Sequence, residues 1–416
     1  MALTKDSLYD WAVIGGGVSG IAISEILIRE GKSVLLLEKN KTLASETSKD
    51  FHEWVHSGAL YTLAPDNLLT LRYLLGATDD IIEFYSTYPR MNLLPTEKGI
   101  EIPNKGWFND ERIEFRYRSH KLNPVWLSMV SKSTALIDLI SNHDWLRRRA
   151  GSEYGSSKVK LSYSFNKILD QLKSEEKFYK IKSPDFTMNS RDLLSDLLSA
   201  SIFMGLEVKT SAKVDSLVEL DTHVEVGVDG EVYKANNIVI TSPDAISEFV
   251  DIPIKEGYAP MAIVEGVPEK ESSFVELDYY VSRCINLLKK SNGIGQAGGI
   301  TLDKEHKVKD YLEYVIAEHM KRNPSIKLID TYIGIKKELV QKKEERNYLY
   351  HINQNSPKIW SVVLGKFTLA FSMAPEFFRR NYHKNPTKSV SRDKEGLIHA
   401  SLSKTAWQEI VDSNRS

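Results

Sequence analysis

Gly15, Gly17 and Gly20 stand in the spacing Gly-x-Gly-x-x-Gly, and Glu38 follows them about 20 residues further on. That set of residues suits the pyrophosphate of a dinucleotide. The first glycine makes a tight turn, the second lets phosphate approach the backbone, and the third allows close packing of helix on strand. Free N–H groups and the positive dipole end of a helix opening there favour two negative phosphates. A carboxylate at the Glu38 position accepts hydrogen bonds from a ribose 2′-hydroxyl and repels a 2′-phosphate. A glycine turn that merely packs would show the same three residues, so the flanking elements decide.

Those elements are the right ones. Trp11, Ala12, Val13 and Ile14 form a short apolar run of the kind a buried parallel strand shows. Ile21, Ile23, Ile26 and Leu27 follow at helical spacing, and Glu30-Gly31 supplies a stop. Residues 33–38 form a second apolar run that ends in Glu38. The glycines thus open a helix inside a βαβ unit, and dinucleotide binding is expected there. The motif alone does not separate FAD from NAD. Position does more: a β-rich stretch with a hairpin turn at Asp229-Gly230 leads to another buried strand at residues 237–241. This layout resembles the glutathione-reductase-type FAD fold, whose N-terminal βαβ unit holds the adenine half.

Helical periodicity covers residues 67–88, while residues 91–182 read as irregular and rich in aromatics and arginine. A second α/β signature begins at Asp192, with an apolar helix over 193–204, a strand over 205–209 and sheet ribbons over 214–219 and 223–228. Residues 259–355 read as a second irregular block, followed by a strand over 360–364 and a helix to residue 380. The last thirty or so residues read as a loose polar tail with one short helix near Trp407. The expected fold class is α/β, a glutathione-reductase-type FAD-binding Rossmann domain interleaved with a mixed-sheet α+β substrate domain. The FAD-binding domain is expected to draw on residues 1–90, 185–255 and 356–383. The substrate domain draws on 91–184 and 256–355, and residues 384–416 form the tail.

Composition narrows the function classes. A chain of 416 residues with 42% hydrophobic and 10% aromatic residues buries a full core, which excludes disorder. Basic and acidic residues number 55 and 56, a balance that argues against a nucleic-acid partner. The single cysteine, Cys284, excludes an internal disulfide, a cysteine-based zinc site and an iron–sulfur cluster. Residues 1–10 lack a basic leader segment, and the apolar run over 11–28 contains three consecutive glycines and Glu25. Neither a signal peptide nor a transmembrane segment is expected, and the chain reads as cytoplasmic, with peripheral membrane contact left open.

Other signals carry less. His52-Glu53-Trp54-Val55-His56 spells H-E-x-x-H, which on a helix would offer two imidazoles to zinc. Ser57-Gly58 breaks the segment at once and only Glu83 offers a nominal third ligand, so no metal is expected. Arg147-Arg148-Arg149 reads as a solvated helix end or salt-bridged surface in a chain without charge excess. Arg116 and Arg118 share one face of an alternating run and are weighed as pocket-lining residues against a plain polar face. Met129 and Met204 read as core filler.

Three further segments resemble one family. Thr47-Ser48-Lys49, with His56-Ser57-Gly58-Ala59-Leu60-Tyr61, is similar to the second flavin-contacting stretch of the D-amino-acid oxidase (DAO) superfamily of FAD-dependent oxidoreductases. Within that group it looks like the FAD-dependent glycerol-3-phosphate dehydrogenases and L-2-hydroxyglutarate dehydrogenases. Gly334-Ile335-Lys336 resembles their Gly-(Ile/Val)-Arg segment. Gly365-Lys366-Phe367-Thr368, with Met373-Ala374, resembles their Gly-Lys-(Leu/Phe)-Thr…Met-Ala segment. Order and spacing hold from residue 10 to about 380.

The resemblance implies FAD as cofactor. Gly15, Gly17 and Gly20 would hold its pyrophosphate, Glu38 the adenosine ribose with Lys39 beside it, and Thr47 and Ser48 its ribityl and phosphate portion. Val214 would present backbone to the adenine, and Gly365, Lys366, Phe367 and Thr368 would meet the flavin at its C2 carbonyl side. Negative charge arising there on reduction is stabilised by a helix dipole and a cation. His56 would lie on the substrate side, as a base for a hydroxyl proton, as a covalent flavin attachment point, or as a hydrogen-bonded structural residue. Lys336 would be either a substrate anchor or a plain surface lysine. Two departures bear on the substrate: no arginine occurs in residues 58–61, and lysine replaces arginine at 336, without the bidentate fork. The chain also lacks a cysteine-rich C-terminal module. The expected reaction is hydride transfer from a CH–OH group of a small, acidic or phosphorylated substrate to flavin N5. CH–NH oxidation on the same fold, and a redox-sensing flavoprotein without substrate, are the alternatives. The electron acceptor (oxygen, a quinone or a protein) is left open.

Overall fold

The computed structural model describes residues 7–63, 68–96, 99–142, 161–278, 283–339, 349–388 and 402–415. Among these residues, two eight-stranded sheets carry the architecture. In the first, Leu8–Ile14 runs parallel to Val34–Leu37 on one side and to Glu231–Ile240 on the other. Glu207–Lys209 extends the sheet beyond Val34–Leu37, and Ile359–Leu364 extends it beyond Glu231–Ile240, both in parallel. Tyr350–Gln354 closes that edge in the antiparallel sense. The chain therefore leaves the first strand toward one edge and comes back on the other side of it. Such a switch point opens a crevice at the carboxyl ends of the strands.

Both faces of this sheet are covered, which is why its strands read as continuous apolar runs rather than alternating ones. Val18–Arg29, Ser190–Phe203 and Ala370–Tyr382 are helices that share one core with Trp11, Val13 and Leu36. On the opposite face, Tyr9, Leu35 and Ile238 pack with Val224 and Val226 of an antiparallel ribbon and with Ile246 of helix Pro243–Phe249. The ribbon turns at Asp229 (φ 51°) and Gly230 (φ 80°), the left-handed pair of a two-residue hairpin.

The second sheet runs in the order Lys327–Leu339, Ile254–Glu265, Gly295–Gly299, Arg283–Lys289, Phe274–Asp278, Phe108–Arg118, Phe178–Met188, Trp54–Val55. It is mixed, because Phe274–Asp278 is parallel to Phe108–Arg118 while its other neighbour is antiparallel. The chain thus adopts the expected class, a Rossmann-type α/β domain interleaved with a mixed-sheet α+β domain.

Three regions differ from their sequence pattern. The described part of residues 91–182 is not irregular: it includes the strand Phe108–Arg118, the helices Pro124–Asn142 and Leu161–Lys173, and the start of Phe178–Met188. Register shifts between Asn109, Arg112 and Glu114 confine the legible alternation to the run that carries Arg116 and Arg118, so the strand's first half did not show. Residues 259–355 likewise hold strands and the helix Val308–Arg322. One of those strands, Gly295–Gly299, is glycine-rich because its neighbours leave no room. A Cβ at Gly298 would meet the His52 ring, and one at Gly299 the Tyr311 ring.

The described end of the tail, residues 402–415, is not loose either. Leu402 bridges Leu43, the Ser403 N–H donates to the Leu43 carbonyl, and helix Ala406–Arg415 buries Val411 against Ile263 and Ile294. No helix among the described residues is long and apolar enough to cross a membrane.

Candidate active site

A cleft of about 570 Å³ runs across the carboxyl ends of the first sheet and along one face of the second. Gly15 sits at its head with φ 113°, and a Cβ there would press on Ser242 and Thr241. Gly17 lies in extended backbone as the N-cap of helix Val18–Arg29 and has no side chain of its own to cap the helix. A Cβ on Gly20 would overlap the Gly15 carbonyl oxygen, so Gly20 holds helix to strand from behind the cleft wall. Ser48 is the second residue of the short helix Thr47–Asp50 opposite, where its Oγ accepts from the Val18 N–H at 3.0 Å. Thr47 lines the same wall and donates to the Ile335 carbonyl at 3.0 Å.

At the far end of the cleft stand Glu38, Lys39 and Val214. Glu38 accepts from the Gly16 N–H at 2.7 Å and the Asn40 N–H at 2.8 Å, so the acid at the end of the second strand is tied to the glycine turn itself. Lys39 pairs with Asp244 at 2.6 Å and with Glu46 at 2.8 Å. Lys337 also pairs with Asp244, so one carboxylate gathers two cations at the rim. Val214 is buried where its strand begins. The helix start touched only by the Ser48 hydroxyl, the close-packed Gly15 and Gly20, and the acid beside them fit the pyrophosphate and ribose of FAD.

The other end belongs to His56 and the segment around Gly365. The His56 ring stacks on Trp54, with centroids 4.3 Å apart, and meets the edge of Tyr61 at 5.9 Å. Its backbone N–H donates to Thr368 Oγ1 at 3.3 Å, and Thr368 is buried behind the wall rather than in it. The imidazole Nδ1 lies 3.6 Å from Asp185. Burial, reinforced by the Lys366 charge, pushes His56 down to about 4, so the ring is neutral at ordinary pH.

Lys366 lies over the Tyr61 ring at 5.1 Å. Lys336 reaches the Gly365 carbonyl at 3.2 Å, with Glu338 at 3.5 Å and the Phe51 ring at 5.2 Å. It therefore ties strand Lys327–Leu339 to the Gly365 turn. Phe367 opens a 3-10 turn that runs into helix Ala370–Tyr382. No arginine is among the described residues that line the cleft, and its cations are all lysines.

Several candidates lie elsewhere. Arg116 pairs with Glu114 and Glu271 and covers the Phe274 ring, and Arg118 faces Asp278, so neither lines the cleft. Arg147, Arg148 and Arg149 fall outside the described residues. The H-E-x-x-H stretch is not helical, with Glu53 left-handed at φ 58° and Trp54–Val55 in a strand, so it lacks the helical face on which this motif presents two imidazoles to zinc. Glu53 is instead gripped by Lys290 at 2.9 Å, Ser190 and Trp407, which outweigh its burial and hold its carboxyl below the usual range. The Cys284 thiol lines the cleft, but burial pushes it up to about 12, leaving it protonated and unreactive.

Sequence reasoning missed Asp185, which is fully buried and accepts from Trp54 Nε1 at 2.8 Å and from the Ser57 N–H at 2.9 Å. It also missed Asn286, on the wall formed by the second sheet, and the Asp244 rim cluster. No local signal marks them, because their partners come from distant parts of the chain.

Comparisons with known proteins agree on one architecture. The family model described as FAD dependent oxidoreductase (DAO) matches residues 10–281, well over half of the chain. L-α-glycerophosphate oxidase from Mycoplasma pneumoniae, solved with FAD bound, superposes with a TM-score of 0.64 at 15% identity, over 92% of this chain and 97% of that one. L-amino acid deaminase from Proteus vulgaris, with its insertion sequence deleted, gives 0.61 at 17% identity over 93% and 92%. Glycine oxidase from Geobacillus kaustophilus gives 0.60 at 12% identity over 95% and 98%. At these identities the likeness is one of fold. By sequence, no curated protein matches the chain.

Proposed function

The chain belongs to the DAO family of FAD-dependent oxidoreductases, and from that membership we propose that it oxidises a CH–OH group of a small, acidic or phosphorylated molecule. The observation that carries this is His56, a neutral, oriented imidazole on the cleft wall. A CH–OH substrate must give up a hydroxyl proton that water at neutral pH does not remove, and a positioned base supplies that need. An amine substrate sheds its proton to solvent and needs no such base.

Gly15, Gly17, Ser48 and the start of helix Val18–Arg29 would hold the FAD pyrophosphate, with Glu38 at the adenosine ribose and Val214 along the adenine. Bound FAD supplies the acceptor for the hydride that leaves the substrate carbon. Lys366 brings a cation to the Gly365 end of the cleft, beside the Lys336–Glu338 pair. That cation favours an anionic substrate and the negative charge that reduction leaves on a flavin. Lysines as the charged-nitrogen lining among the described residues favour point-charge recognition over a bidentate clamp. This chemistry agrees with the resemblance to the glycerol-3-phosphate and L-2-hydroxyglutarate dehydrogenases.

The test is anaerobic mixing of the yellow holoenzyme with a panel of 2-hydroxyacids and polyol phosphates beside a panel of amino acids, following loss of flavin absorbance. Rapid bleaching by a hydroxyl compound is expected, and His56→Gln should slow it on the order of 100-fold with FAD retained. Bleaching by amino acids alone would replace this assignment with CH–NH oxidation, and bleaching by nothing would favour a redox-sensing role.

A further inference from the structure

We propose that Asp185 is the positioning carboxylate of His56: it fixes which ring nitrogen faces the cleft and stabilises the imidazolium formed when His56 takes the substrate's hydroxyl proton. The inference rests on the assignment of His56 as the base and adds a residue that neither the sequence pattern nor the resemblance supplied.

Asp185 lies on strand Phe178–Met188 and is fully buried. Its Oδ1 accepts from the Ser57 N–H at 2.9 Å and from the Ser57 hydroxyl, and its Oδ2 accepts from Trp54 Nε1 at 2.8 Å. Every one of these donors is neutral. Among the described residues no lysine or arginine pairs with Asp185, and the one cationic partner within reach is His56, once protonated. A buried carboxylate without a cation is costly, and neutral donors only partly offset that cost. The arrangement makes sense if the cation is transient and appears on His56 during turnover.

The geometry of the ring supports this. His56 Nδ1 is buried without a hydrogen-bond partner, and it stands 3.6 Å from Asp185 Oδ2, just beyond bonding distance. Trp54 does two jobs at once, because its ring stacks on the imidazole while its N–H holds the same carboxylate oxygen. The plane of His56 and the position of its partner are thus set by one side chain. With Nδ1 turned inward, Nε2 is the nitrogen left on the opposite edge, and the ring lines the cleft. Lys366 and Lys336 oppose a positive charge on the ring, whereas Asp185 favours it. In the proton-transfer step the substrate O–H bond breaks, its proton binds Nε2, and Nδ1–H closes on Asp185 as a charge-assisted hydrogen bond. The electron pair of the substrate C–H bond leaves with the hydride to FAD, and the carbon–oxygen bond becomes a carbonyl.

Two measurements on the holoenzyme test this. Nitrogen-15 NMR of labelled histidine, with His56→Gln identifying the resonance, reads the tautomer without any substrate. The parent enzyme should carry the proton on Nδ1, and Asp185→Asn should shift the population toward Nε2–H with FAD still bound. A parent Nε2–H tautomer, or an unchanged one in Asp185→Asn, overturns the proposal; the parent spectrum alone decides if that variant fails to fold. The second measurement is anaerobic flavin reduction by glycerol 3-phosphate and L-2-hydroxyglutarate, or by whichever panel compound bleaches the parent. Asp185→Asn should slow it on the order of 100-fold, with a larger solvent isotope effect as proton transfer becomes limiting. If His56→Gln leaves the rate unchanged, the base assignment itself fails. If His56→Gln slows reduction and Asp185→Asn does not, only the role of Asp185 falls.

Discussion

Gly17→Val separates the cofactor cradle from the fold. Gly17 has φ −75° and ψ −177°, a conformation open to any residue. A Cβ there would meet only Ser48 Oγ, at 3.2 Å. The fold should therefore tolerate the change, with about 1 kcal/mol lost because valine is a poor helix cap. The two added γ carbons, however, add bulk to the cleft wall at the start of helix Val18–Arg29, beside Ser48. Hydrogen bonds from backbone N–H to a charged phosphate contribute about 1.5–3 kcal/mol each, so losing two weakens binding by about 3–6 kcal/mol. At about 1.4 kcal/mol per decade, FAD affinity should fall roughly 100- to 10,000-fold. The assay is titration of apoprotein with FAD, read by flavin absorbance, beside thermal unfolding of the same apoprotein. Gly20→Ala gives the contrast, since its methyl would overlap the Gly15 carbonyl and should lower the melting temperature directly. Parental FAD affinity in Gly17→Val, with the helix intact, would refute the placement of the pyrophosphate.

Two further outcomes are expected. His52, His56 and His319 are pushed by burial from the ordinary 6.5 to about 3, 4 and 4, so the unfolded chain binds protons that the folded one refuses. Their contribution to stability is complete above pH 6.5 and falls as pH drops toward 4. Thermal melts across that window should show a steady loss, and His319→Asn should flatten it; a melting temperature independent of pH there would contradict the burial argument. The docked C-terminal helix should hold the loop that carries Ser48, because Trp407 bonds Glu53 and Glu409 pairs with Lys49. Trp407→Ala should speed FAD dissociation on the order of 10-fold, about the weight of one lost hydrogen bond plus its packing, measured by FAD release into excess trapping apoflavoprotein.

The nucleotide half of the site was legible because its chemistry is local. The turn, the helix start and the acid all lie between Gly15 and Glu38, and their backbone demands show directly in residue type. His56 was legible through its neighbours in the chain. Its environment was not, since the stacked Trp54 hides in a segment that spells a metal motif, and Asp185 lies more than a hundred residues away. Glycines such as Gly298 and Gly299 weaken strand propensity, and only the His52 and Tyr311 rings packed over them explain their presence. The tail read as loose because polar and charged residues together dominate it, yet Trp407, Ile410 and Val411 pack with Ile263 and Ile294.

Sequence by itself determined the βαβ unit and the features a dinucleotide site needs, because a tight turn, an approachable backbone and an acid at strand's end are properties of a few consecutive residues. Tertiary structure alone decided which charges surround His56, because the strand bearing Asp185 and the turn bearing Lys366 meet it only when the two sheets close on one cleft, and electrostatic strength depends on distance and burial rather than on order in the chain.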